Sequence, residues 1–193
     1  LDYQIDWGDG SSDLNQTDVV SQTYASAGTY TVSITGNLPH FDFDFLPNDD
    51  KALLTSIEQW GSMVWESFEN AFNGCSNMVL NAVDAPDLRN VTTLKSAFSG
   101  TTSFNTSIDH WDVSTIKDLS GTFSSSGYNQ DLTNWDVSNV TNLTSTFAFS
   151  SFNAGITTWD VSSVTTLFGT FRGNAAFNQD ISGWTTTSLT NLS

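Results

Sequence analysis

Acidic side chains stand out among the residues whose type and spacing could support chemistry. Four aspartates recur at intervals of 24 or 25 residues: Asp87, Asp112, Asp136 and Asp160. Polar residues stand two positions before three of them: His110, Asn134 and Thr158. Carboxylates and amides are groups that bind Ca²⁺ and the hydroxyls of sugars. This polar set is therefore the first candidate for a ligand-binding surface.

The sequence around each aspartate predicts an outward-facing position on a short strand. In Trp111-Asp112-Val113 the two apolar residues are two apart, so they share one face and the carboxylate points to the other. Neighbouring strands would bring the carboxylates to about 4.8 Å, where they repel by roughly 1 kcal/mol in bulk water. Two interpretations stay open. Each aspartate accepts hydrogen bonds from nearby hydroxyls and turn amides as part of the fold, or the row binds a cation or a hydroxyl-rich ligand.

Two further acidic clusters are weak calcium candidates. They are Asp6, Asp9 and Asp13 near the start of the chain, and Asp42, Asp44, Asp49 and Asp50 further on. The first cluster does not match the alternate-position spacing of an EF-hand loop. Turn chemistry and a solvated surface are the competing interpretations. No cofactor is expected, and calcium is the one possible ligand of this kind.

Catalytic and nucleic-acid functions find little support in the sequence. His110 has Asp109, Asp112 and Ser114 close by, but all lie on one predicted strand, whereas a catalytic triad needs groups from several elements. Cys75 is the only cysteine and is expected to be a buried structural thiol. The formal charge of −16, with 5 Lys+Arg against 21 Asp+Glu, excludes a basic surface for nucleic acid. No apolar run is long enough to span a membrane.

Internal repeats position these residues. Similar segments begin at residues 57, 83, 108, 132, 156 and 181, which gives about six repeats of 24–26 residues. Apolar and aromatic residues recur at fixed positions, as in the column Phe72, Phe98, Phe123, Phe147 and Phe171. One repeat cannot bury such a face alone, whereas stacked repeats bury it continuously. The pattern predicts a repeat solenoid with short parallel strands on one face and turns or short helical turns on the other.

The repeat motifs resemble a known family. The stretch AFNGCSNM at 71–78 is similar to the signature of BspA-like leucine-rich repeats, and WDVSNVTNL at 135–143 and AFNQDIS at 176–182 resemble the bacterial-surface 26-residue repeat. The resemblance covers roughly residues 52–193. It implies a leucine-rich-repeat-like solenoid over 47–193 whose concave sheet carries the aspartate column. It also implies adhesion and surface interaction with diverse partners.

Residues 1–46 differ from the repeats. The segments IDWGDGSS at 5–12 and TYASAGTYTVSITG at 23–36 resemble polycystic-kidney-disease (PKD) type Ig-like domains. Turns at Gly8-Asp9-Gly10 and Ala27-Gly28, with a strand over 29–35, agree with this resemblance. A full domain of that type needs about twice this length, so the segment is interpreted as a partial PKD-like segment or a β-rich N-terminal cap of the solenoid.

The expected function is a non-catalytic recognition module, extracellular or on the cell surface, that binds a protein or glycan of a cell or matrix surface. No nucleic-acid partner and no membrane insertion are expected. A structural spacer or stalk is the main alternative. A polysaccharide-acting enzyme would need Asp112, Asp136 and Asp160 to work as paired carboxylates. An ice-binding surface would use the column Thr122, Thr146 and Thr170.

Overall fold

The computed structural model describes residues 2–18 and 20–191. The chain forms two compact units, Leu1–Pro39 and His40–Ser193. The sequence placed the boundary between residues 46 and 47. The segment 40–46 lies in the second unit, where the rings of Phe41 and Phe43 pack against Phe72 at centroid distances of 6.4 and 6.2 Å.

The first compact unit contains a three-stranded antiparallel sheet in the order β2-β1-β3. Its strands are β1 (Asp2–Asp6), β2 (Ser12–Gln16) and β3 (Ser33–Asn37). Alternate residues of β1, Tyr3 and Ile5, are buried, as period-two alternation requires. The turn after β1 passes so close to the backbone of Thr31 that a Cβ at Gly8 would lie 2.5 Å from the carbonyl oxygen.

The second compact unit contains few regular elements. A four-residue helix, α1 (Asn48–Lys51), precedes a two-residue parallel pair, β4 (Ser56–Ile57) and β5 (Val79–Leu80). Further along, single residues form parallel bridges: Val64 with Asp87, Thr93 with Asp118, Asp118 with Asn142, Asn142 with Thr166 and Thr166 with Asn191. Most of the remaining described residues lie in turns and irregular loops.

The predicted fold class, a leucine-rich-repeat-like solenoid with short parallel strands on one face, is wrong. The described strands form one small antiparallel sheet and one two-residue parallel pair, helix is almost absent, and no solenoid is found. The positions expected to be strands, such as Trp111–Val113, lie in turn and loop structure. Val83, the apolar residue at the start of the second predicted repeat, is almost fully exposed.

The physical reason lies in how the backbone N–H groups are used. In segment 119–126, the N–H of Thr122 donates to the Leu119 carbonyl three residues back, as in a tight turn. The next N–H, of Phe123, donates instead to the Thr146 carbonyl at 2.9 Å. Because successive N–H groups point alternately inside and outside the segment, neither an α-helix nor a continuous strand forms. Four stretches share this arrangement: 68–75, 94–101, 119–126 and 143–150. The stretch 167–174 has the same bonds within the segment, and all five are called turn segments here.

Each turn segment needs residues with left-handed backbone. Gly121 has φ of 64° and Ser125 has φ of 55°, four residues apart. The same pair of positions is left-handed in the next segment, at Ser145 and Phe149. Glycine adopts this conformation without strain, and the serine and phenylalanine adopt it because flanking hydrogen bonds and buried neighbours fix the turn.

Aromatic rings fill the core of the second unit. The column Phe72, Phe98, Phe123, Phe147 and Phe171 stacks with centroids 5.7–5.8 Å apart. Trp135, Trp159 and Trp184 stack beside it at 6.3–6.5 Å. Such pairs add about 0.5–1.5 kcal/mol each beyond the burial of their area. The Trp135 indole also donates to the Ile108 carbonyl at 3.0 Å, so ring stacking and hydrogen bonding act together.

Candidate functional site

The acidic row, defined as Asp87, Asp112, Asp136 and Asp160, lies in turns. Asp112 follows buried Trp111 and precedes buried Val113, which leaves its own side chain exposed. Its Oδ1 accepts hydrogen bonds from the Ser114 N–H at 3.1 Å and the Ser114 hydroxyl at 2.6 Å. The predicted position on a strand is wrong, because the aspartate opens a turn that is closed by its own side chain.

The other members of the acidic row are held in the same way. Asp136 Oδ1 accepts from the Ser138 N–H at 3.0 Å and from its hydroxyl at 2.6 Å. Asp160 Oδ1 accepts from the Ser162 N–H at 3.0 Å. Asp87 differs, because Arg89 donates to it from Nε at 2.8 Å and forms an ion pair. These are the hydrogen bonds that the fold-based interpretation of the column expects.

Hydrogen bonds favour the ionised form of Asp87, Asp112 and Asp160. The Ser114 hydroxyl and then its N–H hold the pKa of Asp112 below its ordinary value, and Ser162 does the same for the pKa of Asp160. The Arg89 side chain lowers the pKa of Asp87. A general acid in glycoside hydrolysis needs a raised pKa. The environments of Asp112 and Asp160 instead lower the pKa of these carboxyl groups.

Two neighbouring members of the acidic row, Asp112 and Asp136, are joined through their turns. The Asn139 side-chain amide donates to the Ser114 carbonyl at 2.8 Å, which connects the turn of Asp136 to that of Asp112. For Asp112, Asp136 and Asp160, each Oδ2 has no hydrogen-bond partner within the part of the chain that the structure describes. The row therefore presents fixed carboxylates, each with one oxygen open to solvent.

The three polar residues beside the row serve different purposes. His110 is exposed. The Asn134 N–H and side-chain amide both donate to Asp109, at 2.9 and 2.5 Å. The Thr158 hydroxyl donates to the Thr133 carbonyl at 2.9 Å. Both Asp109 oxygens therefore accept hydrogen bonds from Asn134, which fixes the orientation of that carboxylate.

The first calcium candidates are engaged in local hydrogen bonds. Asp6 accepts from the Gly8 N–H at 2.9 Å, and Asp9 accepts from the Ser11 N–H at 2.9 Å. Asp13 accepts from the Trp7 indole at 2.9 Å, so it orients toward a ring rather than toward the other two carboxylates.

The second cluster is dispersed in a similar way. Asp42 accepts from the Asp44 N–H at 2.9 Å, and Asp44 accepts from the Asn73 amide at 2.8 Å. Asp49 and Asp50 are exposed in α1. Among residues 2–18 and 20–191, no group of three or more His, Cys, Asp or Glu side chains is placed to hold a metal ion.

Two other sequence expectations concern buried groups. Cys75 is fully buried, which confirms the structural thiol, and burial raises the pKa of its thiol to about 12. The threonines of the candidate ice-binding column are also buried. The Thr122 hydroxyl donates to the Leu119 carbonyl at 2.8 Å, and the Thr170 hydroxyl donates to that of Leu167 at 2.9 Å. Hydroxyls used inside the protein cannot contact ice.

Sequence reasoning missed the polar residues that join successive segments. Asparagine side chains accept the backbone N–H of the equivalent residue about 24 positions later. The Asn105 side chain accepts the Asn129 N–H at 2.8 Å, and the Asn129 side chain accepts the Asn153 N–H at 2.7 Å. Asp84 accepts backbone N–H donations from Trp60 and Gly61. The recurrence of asparagine after the aromatic column is the sequence feature that could have predicted these contacts. A polar side chain that repeats in register with a buried column often forms hydrogen bonds between successive segments.

The comparisons with known proteins identify a family whose function is unknown. A family model described as "Mycoplasma protein of unknown function, DUF285" matches residues 66–153 and 125–193, which together span 66–193. No curated protein and no solved structure matches the chain. Within the described residues, no helix is long and apolar enough to cross a membrane.

Proposed function

Because the chain belongs to this DUF285 family, whose function is unknown, we propose its role from its surface: a non-catalytic recognition module that binds a protein or glycan through the acidic row. The module acts outside the cell or on its surface. The observation that carries the proposal is the row itself, in which Ser114, Ser138 and Ser162 each fix one carboxylate oxygen and leave the other open.

Fixed carboxylates favour binding for two reasons. A side chain already held in one rotamer loses less conformational entropy when a partner arrives. A lowered pKa, as at Asp112 and Asp160, keeps the carboxylate charged and able only to accept hydrogen bonds. The matching partner chemistry is a group that donates: lysine or arginine on a protein, or the hydroxyls of a glycan.

The net charge of the chain favours the protein partner. A formal charge of −16 produces a long-range field that attracts a basic surface and raises its association rate at low salt. A neutral glycan gains nothing from that field. The salt dependence of binding therefore separates the two partner classes, since binding of a basic protein weakens with added salt.

The lowered carboxylate pKa values support the non-catalytic part of the proposal. Glycoside hydrolysis needs one carboxyl group with a raised pKa and a second that stays ionised. The environments of Asp112 and Asp160 both favour the ionised form. Asp112 and Asp160 can therefore orient a ligand, but their lowered pKa values make them poor proton donors at neutral pH.

The test is the binding of glycan and peptide arrays, with and without calcium, by the wild-type protein and an Asp112→Asn/Asp136→Asn variant. Asparagine can still accept the Ser114 and Ser138 N–H groups, so the turns are kept and only charge is lost. We expect the variant to lose binding by about tenfold or more, as for charged groups at an interface.

The matched control is Asp49→Asn/Asp50→Asn, which removes the same charge from exposed residues of α1. This control should bind like the wild type. Equal binding by the row variant and the wild type, or the absence of any bound ligand, would overturn the recognition proposal. Turnover of a polysaccharide would overturn the non-catalytic part.

A further inference from the structure

Lys51, the last residue of α1, is a buried charged side chain that the acidic row does not use. Its side chain is only 8% exposed. Its Nζ lies 3.8 Å from Asp44 Oδ1, which is an ion pair but too long for a hydrogen bond. Within residues 2–18 and 20–191, Nζ donates no hydrogen bond. A buried ammonium group has three donors to satisfy, so this charge is incompletely compensated.

The same carboxylate also contacts an amide. The Asn73 side-chain amide donates to Asp44 Oδ1 at 2.8 Å. One oxygen of Asp44 therefore contacts the Lys51 amine and the Asn73 amide. An amine and a carboxamide can react with each other, and a carboxylate that contacts both can carry protons between them.

Gly74 allows Lys51 to approach the backbone next to Asn73. A Cβ at Gly74 would lie 2.8 Å from Lys51 Cδ and 3.6 Å from Nζ. The Gly74 N–H donates to the Ser99 carbonyl at 2.7 Å, which fixes the backbone directly after Asn73. The lysine and asparagine side chains are therefore held in neighbouring positions.

Asn73 is not required by the repeated pattern of the turn segments. The equivalent positions in the other four segments hold different residues: Ser99, Ser124, Ala148 and Arg172. Lys51 also stands before the first turn segment, 68–75. The contact of Lys51, Asp44 and Asn73 is therefore particular to the start of the second unit, and the stacking of repeats does not explain it.

We propose that Lys51 and Asn73 form an intramolecular amide bond, with Asp44 as the proton carrier. Proton transfer within the ion pair gives a neutral amine and a protonated carboxyl group, a step favoured where charge is poorly solvated. The Lys51 Nζ then attacks Cγ of Asn73, so the Nζ–Cγ bond forms and the Cγ–Nδ2 bond breaks. Asp44 gives its proton to the departing nitrogen and takes one from Nζ. Ammonia leaves, the carboxyl group is restored, and no oxidant or other reactant is needed.

The surroundings favour this product. The new amide replaces a buried charge with a neutral group, which costs less to bury. The Asp44 side chain is 50% exposed, so ammonia can leave to solvent. The bond would join α1 to the first turn segment and restrict the unfolded chain between residues 51 and 73, as a disulfide does. The acidic row takes no part, so the recognition proposal stands or fails separately.

The test is the intact mass of the purified protein, followed by peptide mapping with tandem mass spectrometry. We expect the wild-type mass to lie below the sequence mass by one ammonia molecule. We also expect a branched peptide in which Lys51 is joined to Asn73. Lys51→Arg should restore the full sequence mass, because guanidinium stays protonated and is a poor nucleophile. Asp44→Ala should do the same, because it removes the proton carrier.

The matched control is Lys95→Arg, which alters an exposed lysine paired with Glu69 and should keep the loss of ammonia. Cyclisation of Asn73 onto the Gly74 nitrogen would also release ammonia, but it needs no lysine and gives no branched peptide. Should Lys51→Arg fail to fold, the peptide map of the wild type decides the matter alone.

Three results would overturn the proposal. They are a wild-type protein at its full sequence mass, a loss of ammonia that persists in Lys51→Arg, and a loss of water with the branch at Asp44.

Discussion

Replacing Thr146 with valine tests whether buried threonine hydroxyls hold the turn segments together. Thr146 is fully buried, and its hydroxyl lies 2.8 Å from the Leu143 carbonyl and 3.0 Å from the Leu119 carbonyl. The first carbonyl is in its own segment and the second is in the preceding one. The single hydroxyl proton is therefore shared between a turn and the contact between segments.

The expected loss of stability depends on which hydrogen bonds the two carbonyls keep in the Thr146→Val variant. Without the Thr146 hydroxyl, the Leu143 carbonyl still accepts from the Thr170 hydroxyl at 2.9 Å, and the Leu119 carbonyl still accepts from that of Thr122 at 2.8 Å. No buried acceptor is orphaned, so the larger penalty of about 1–3 kcal/mol for an unsatisfied group does not apply. The variant loses only the net contribution of one hydrogen bond to the free energy of unfolding, about 1 kcal/mol.

The assay is urea denaturation followed by tryptophan fluorescence, with the free energy of unfolding taken from the midpoint at constant slope. The control is Thr165→Val, whose exposed hydroxyl donates to the Thr141 carbonyl at 3.0 Å. It should change stability by less than about 0.5 kcal/mol. A Thr146→Val protein as stable as the wild type would refute a structural role for these hydroxyls.

Three further predictions follow from close packing, burial and ionisation. Gly127→Ala should cost more than about 2 kcal/mol, because its Cβ would overlap a neighbouring backbone carbonyl, whereas Gly183→Ala, with open space around it, should be near neutral in the same denaturation assay. Cys75 should resist thiol reagents until the protein unfolds, because burial raises its pKa to about 12; labelling at the unfolded rate in native buffer would contradict its position in the core. Because the pKa of Asp112 is lowered in the folded protein by the Ser114 hydroxyl, its stabilisation is present above the unfolded pKa and is lost as pH falls through the folded value. The stability of the wild type relative to Asp112→Asn should therefore rise between about pH 2 and about pH 5, and a pH-independent difference would disprove the shift.

The sequence predicted burial better than it predicted backbone conformation. The column Phe98, Phe123 and Phe147 is buried as its periodicity indicates, since apolar side chains at a fixed interval must share an environment. The strand predicted around Asp112 is absent, because its side chain closes a turn with Ser114. Alternation of apolar and polar residues reports which side chains face inward, and a run of tight turns satisfies that alternation as well as a strand does.

In the candidate site too, the sequence predicted some features and missed others. The recurrence of the acidic row could be read from the chain, and so could the hydroxyl partners two residues after three of its members. The engagement of Asn134 with Asp109 could not be predicted, because the contact joins residues 25 positions apart in different segments. The dispersal of the calcium candidates had the same cause, since Asp13 is drawn to the Trp7 indole rather than to the other carboxylates.

The sequence by itself determined the charge, the period of the repeated residues and the identity of the core side chains, because these depend only on composition and spacing. The tertiary structure alone decided that the backbone runs through turns and that Thr146 is an internal linker. These outcomes depend on which acceptor each N–H or O–H group meets across segments, and that choice is made only when distant parts of the chain are brought together.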